Sequence, residues 1–135
     1  MADGDATIGE HFDRFAAAWN RGDAAALAGT YVEDGVLIDP FGNAARGREE
    51  IEALLARTLS GPLKGSQTFF TIQEVRSLAA GVALVDGTQM VTGIVGPDGA
   101  AAPDVELHVV VAMTGRKGQW QFVDGRPYAF LPAPG

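Results

Sequence analysis

Asp39 and His108 are the two side chains whose type and setting best suit proton-transfer chemistry. Asp39 ends the short run Val36-Leu37-Ile38-Asp39, and strand alternation puts Leu37 and Asp39 on one face, Val36 and Ile38 on the other. Both faces are then apolar, so the carboxylate is expected to be partly dehydrated. A dehydrated carboxylate is a stronger base and could remove a proton next to a carbonyl. Pro40 supplies a second reading, a turn aspartate bonding local amides at the strand end. His108 shares a strand face with Glu106, Val110 and Ala112, opposite Val105, Leu107, Val109, Val111 and Met113. If the mixed face lines a hollow, His108 is a donor, acid or base near neutral pH; if it meets solvent or a second subunit, it is a surface or interface group.

Other candidates would shape a site rather than react. Phe15, Trp19, Tyr31 and Phe41 offer aromatic walls, although large apolar residues at such spacings pack into a core before they do anything else. Met90 could supply an adaptable apolar patch. Asp124 and Arg126, on either side of Gly125, could form a charged rim or pair with each other. The chain has no cysteine, and its two histidines, His11 and His108, show no ligand spacing, so neither a disulfide nor a metal site is expected. No cofactor is expected either. The net charge is -7 and the arginines are scattered, whereas nucleic acid or an anionic membrane needs clustered Lys and Arg. No apolar run reaches the ~18 residues of a membrane span. Met1-Ala2-Asp3-Gly4-Asp5 lacks the features of a secretion signal, so a cytoplasmic protein is expected, without nucleic-acid or membrane partners.

These side chains need a frame, and 135 residues suit a single domain over 1–135. Residues 7–20 place Ile8, Phe12, Phe15 and Trp19 on one helical stripe. Gly22 suits a left-handed cap, and Asp23 can accept orphan amides of a second, alanine-rich helix over residues 24–32. A strand over 36–39 and a glycine-bearing loop over 41–47 follow. A third helix then opens at Arg48-Glu49-Glu50, with Ile51, Leu54, Leu55 and Leu59 as its apolar stripe. From Ser66 onward the texture turns β-branched and alternating, which predicts strands over 67–78, 82–95, 105–114 and 119–124, with Gly87 and Gly93 as bend points. Helices grouped before a meander indicate an α+β domain, three N-terminal helices packed on a strongly curved, mostly antiparallel mixed sheet.

The run Trp19-Asn20-Arg21-Gly22-Asp23, then Leu27, Tyr31, Asp34-Gly35, Asp39-Pro40 and Gly47-Arg48-Glu49-Glu50-Ile51, resembles the nuclear transport factor two-like superfamily. It is most similar to bacterial ketosteroid-isomerase-like and SnoaL-like members. Gly118-Gln119-Trp120-Gln121-Phe122 resembles their last strand, so the likeness covers nearly the whole chain. It implies a cone-shaped, cystatin-like α+β barrel, a pocket for a small hydrophobic ligand with Trp19, Tyr31 and Phe41 around its mouth, and a homodimer joined through sheet faces. Such motifs specify fold better than chemistry, because the superfamily holds isomerases, cyclases, epoxide hydrolases and members with no known reaction.

Asp39-Pro40 resembles the place where ketosteroid isomerases carry their proton-shuttling aspartate. Those enzymes also hold the dienolate with a helix-one tyrosine and a protonated acid on a later strand. Phe15 and the region of Val109 fall at those places, and neither residue donates a hydrogen bond; Tyr31 and His108 are the remaining donors. Asp39, Asp124 and Arg126 have the residue types that the epoxide hydrolases use to activate water. Two classes of function follow. One is cofactor-free acid/base catalysis of isomerase, cyclase or hydratase type; the other is a noncatalytic homodimer that binds a ligand or another protein.

Overall fold

The apolar stripe of the first helix decides how the chain begins. α1 (Ala2–Asn20) buries Ile8, Phe12, Phe15 and Trp19 together, and the computed structural model describes residues 2–116 and 118–134. Met1, Lys117 and Gly135, which belong to the expected opening, last turn and tail, lie outside the described residues. Gly22, at φ 70°, closes α1 by donating its N–H to the Trp19 carbonyl at 2.9 Å. Asp23 then accepts the Ala26 N–H at 3.0 Å and caps α2 (Ala24–Gly29).

α2 is shorter than the alanine pattern predicts. The Thr30 hydroxyl and N–H both donate to the Leu27 carbonyl, at 2.6 and 3.1 Å, and occupy the acceptor on which the helix would continue. Tyr31 and Val32 are therefore strand residues. β1 (Tyr31–Ile38) starts earlier than expected and stops one residue before Asp39. Part of the expected loop is a three-residue strand, β2 (Ala44–Arg46), antiparallel to β1. α3 (Arg48–Ser60) carries Glu49 and Glu50 in its first turn and buries Ile51, Leu54, Leu55 and Leu59.

β3 (Gln67–Ala79), β4 (Val82–Thr92), β5 (Val105–Arg116) and β6 (Gln119–Tyr128) form the expected antiparallel meander. β4 ends sooner than predicted and β6 runs on to Tyr128. β1 pairs with β6 in parallel, giving a mixed sheet ordered β2-β1-β6-β5-β4-β3. The sheet does not close into the expected barrel, for β2 and β3 are both free edges. Gly87 marks its bend: a Cβ there would sit 2.5 Å from the Thr71 carbonyl oxygen, beside a register shift between Ile72 and Glu74.

Alternation sorts the sheet into two faces. Val85, Val91, Val109, Val111, Met113 and Phe122 are buried beneath the helices. His108, Val110 and Ala112, with their cross-strand partners Thr88, Asp86 and Leu84, make the other face and are half-buried. Among the described residues no helix is long and apolar enough to cross a membrane.

Candidate functional site

Helices and sheet do not meet over their full area, and between them lies a cavity of about 460 Å³. Its walls are Phe15 and Trp19 from α1, Leu54 and Leu55 from α3, and Leu107, Val109 and Val111 from the inner face of β5. Trp19 is fixed from behind, its indole N–H donating to Ser66 Oγ at 3.1 Å. Phe122 closes the floor, edge-on to Phe12, Phe15 and Tyr31.

The structure gathers most of the sequence-predicted site residues here. Asp39, Phe15, Trp19, Tyr31, Phe41 and Arg126 all border the cavity. Phe41 stands at the rim with 90% of its surface exposed. Asp39 takes the turn geometry that the following proline suggests. Its Oδ1 accepts the N–H groups of Phe41 and Asn43 at 3.0 and 2.9 Å, and its Oδ2 accepts Asn43 Nδ2 at 2.9 Å. The carboxylate thus holds the 39–43 loop in shape while also bordering the cavity. Being past the last residue of β1, it is not flanked by strand residues on both faces.

His108, Met90 and Asp124 are not among the cavity-lining residues. His108 is on the mixed face, which turns away from the cavity, and its ring packs on Phe130 and Tyr128 with centroids 4.0 and 5.6 Å away. Met90 points the same way, one residue out of phase with the buried Gln89 and Val91. Asp124 forms a two-pronged pair with Arg126, whose Nε and Nη2 donate at 2.8 and 3.0 Å. The bidentate bond and Asp124's charge hold the Arg126 guanidinium protonated still more firmly than usual.

Four polar lining residues escaped the sequence reading: Gln89, Asn43, Arg57 and Thr58. Gln89 had a usable signal, since it falls two residues from Val91 and so on the buried face. Asn43 and Arg57 had none, because a loop asparagine and a helix-end arginine are ordinary surface residues. Of the polar residues that line the cavity, Tyr31 is the most deeply buried. Burial, with a contribution from Asp124's charge, pushes its phenol well above the ordinary tyrosine range, so the hydroxyl stays protonated as a donor. A separate polar cleft lies at the other end of the sheet, lined by His11, Arg14, Arg21, Arg116, Gln119 and Trp120.

A roofed, curled sheet with an aromatic cavity and an aspartate at its mouth defines a class, and comparison gives its family. Residues 12–125 match the SnoaL-like domain, and the chain belongs to that family. Among solved structures it is similar to an uncharacterised Caulobacter vibrioides protein with a cystatin-like fold, at 27% identity and TM-score 0.80, covering 96% of this chain and 91% of that one. It is also similar to a ketosteroid isomerase-like protein from Erwinia carotovora atroseptica, at 22% identity and TM-score 0.77, covering 94% and 96%. An NTF-2 like protein of unknown function from Shewanella oneidensis MR-1 aligns at 20% identity and TM-score 0.75, over 93% and 98%. No curated protein matches the chain.

Proposed function

We propose that the chain binds a small, largely apolar molecule in this cavity and acts on it by cofactor-free acid/base chemistry, with Asp39 as the base. The observation that carries the reading is the combination of an aromatic and aliphatic chamber with a carboxylate at its edge. A chamber of this composition holds a ligand by excluding water, and a few polar groups then orient it. Asp39 is anchored by Phe41 and Asn43, so it is held in place for a ligand in the chamber. A substrate with an acidic C–H next to a carbonyl fits such a base: isomerisation and aldol-type cyclisation begin by removing that proton, and a hydratase run in the dehydrating direction does the same. The likeness to the ketosteroid isomerase-like protein supports a reaction of this kind.

A noncatalytic ligand-binding module is the second reading, and it is favoured by Phe15, which puts no donor where isomerases of the resembling family have one. Solvent exchange separates the two. Small apolar ketones are incubated with the protein in deuterated water, and label entering beside the carbonyl is followed by NMR. The enzyme reading expects exchange well above the buffer rate, and Asp39→Asn should abolish it while leaving ligand-induced thermal stabilisation intact. Stabilisation without exchange in the wild type would leave binding alone.

A further inference from the structure

The polar groups inside the cavity carry more information than its apolar walls. Thr68 is buried, and its hydroxyl donates to the Met90 carbonyl at 2.8 Å. A hydroxyl has one proton, so toward Gln89 the Thr68 oxygen can only accept. Gln89 must therefore present Nε2, which donates to Thr68 Oγ1 at 3.2 Å. The amide is fixed in one sense, and its Oε1 has no hydrogen-bond partner among the described residues. Gln89 is only 5% exposed, yet it borders the cavity.

Tyr31 is the complementary case. Its hydroxyl has no hydrogen-bond partner among the described residues, and its ring is buried. The hydroxyl lies against Gly125, where a Cβ would collide with it, so the strand is kept bare at that point. Trp120 Nε1 is the one sealed side-chain polar atom without a partner among the described residues. Neither Tyr31 Oη nor Gln89 Oε1 is sealed in that way, and both residues border the cavity, so each opens on it. Unpaired polar groups in an apolar chamber are costly unless a ligand completes them.

We propose that Tyr31 and Gln89 set the specificity of the cavity: the Tyr31 hydroxyl donates to a carbonyl-type oxygen of the ligand, and Gln89 Oε1 accepts from a hydroxyl elsewhere on it. Pairings place the two contacts apart. Gly125 pairs with Val111, which pairs with Val85, whereas Gln89 lies four residues along β4 from Val85. Strand geometry makes that ~10 Å across the sheet and ~13 Å along it at the backbone, narrowing as the side chains reach inward. The ligand class is therefore a rigid apolar skeleton with an acceptor oxygen toward one end and a hydroxyl toward the other.

This inference rests on the cavity being a binding site, and the test separates the two. Four probes share one skeleton: biphenyl, acetylbiphenyl, hydroxybiphenyl, and the compound with acetyl and hydroxyl groups at opposite ends. Affinities are measured by titration calorimetry for the full chain, for Tyr31→Phe and for Gln89→Met. Each oxygen function should strengthen wild-type binding about tenfold over biphenyl. Tyr31→Phe should erase the acetyl gain and keep the hydroxyl gain, and Gln89→Met should do the reverse. Tyr31→Phe removes an unpartnered hydroxyl, so its melting temperature should not fall. If biphenyl binds but the oxygen functions add nothing, or their gains survive in both variants, this specificity is wrong and the cavity reading stands. If none of the four binds, the cavity reading fails and takes the specificity with it.

Discussion

His11 is a buried group at the other end of the helix–sheet sandwich, and it ties proton binding to folding. Its Nε2 donates to the Thr30 carbonyl at 2.9 Å, Arg14 approaches Nδ1 at 3.5 Å, and its ring stands edge-on to Phe122. Burial is the main cause that lowers its pKa from the ordinary 6.5; the Thr30 bond opposes the shift and Arg14's charge adds to it. Unfolded chains therefore bind a proton at His11 where folded ones do not. Its contribution is fully present above pH 6.5 and is lost as the pH falls below that value toward the depressed folded pKa. Urea midpoints for wild type and His11→Gln, taken from pH 7 downward, should show the flatter profile in the variant; parallel profiles would remove His11 as the linked group. The same scale shows how much of the site was legible. Strand position and the family resemblance picked out Asp39, and the resemblance singled out Trp19 and Tyr31; all three border the cavity. Placing Met90 and His108 at the site depended on which strand face turns inward, and with a period of two a one-residue choice moves a side chain from ligand to exterior. Gln89 rather than Met90 is the inward residue of its pair.

Elements were legible wherever one physical signal dominated. The α1 and α3 stripes match their buried residues, and the Gly22-Asp23 corner behaves as its residue types require. Misreadings occur where two signals compete. Alanine favours continuing α2, yet Thr30 occupies the Leu27 carbonyl and the aromatic and β-branched pair Tyr31-Val32 goes to the sheet. β2 is too short for alternation to register, and its existence depends on pairing with β1. The parallel β1–β6 pairing joins segments far apart in the chain, which no local pattern encodes. Because α2 has only 6 residues, its cap carries an unusual share of its stability. Asp23→Ala should cost ~1 kcal/mol in chemical denaturation. Asp23→Asn keeps an acceptor for Ala26 and should be nearly neutral, since the Arg21–Asp23 pair is largely solvated. Equal losses in the two variants would mean that charge, not capping, is what Asp23 contributes.

At the scale of the whole molecule, three helices cover one face of the sheet, and among the described residues no helix or strand covers the other. That outer face carries Leu84, Met90, Val110 and Ala112 among polar neighbours, Phe69 is 56% exposed, and His108, Tyr128 and Phe130 form an aromatic cluster on it. The proposed homodimer would join two such faces about a twofold axis. A stable interface needs ~800 Å² from each partner, about a tenth of this chain's 7994 Å². Val110 lies near the middle, paired with Asp86 on β4 and Arg126 on β6. Val110→Glu would set a carboxylate between Asp86 and an Arg126 already paired with Asp124, and bury it against its own symmetry mate, which a dimer cannot tolerate but a monomer can. Sedimentation at tens of micromolar should give twice 14.1 kDa for the wild type and 14.1 kDa for Val110→Glu, with the same circular dichroism for both. A wild type that sediments at 14.1 kDa would refute the dimer, and a Val110→Glu chain that stays paired would move the interface off this face. Because the cavity lies on the opposite side of the sheet, the proposed binding of the biphenyl probes should survive in the monomeric variant.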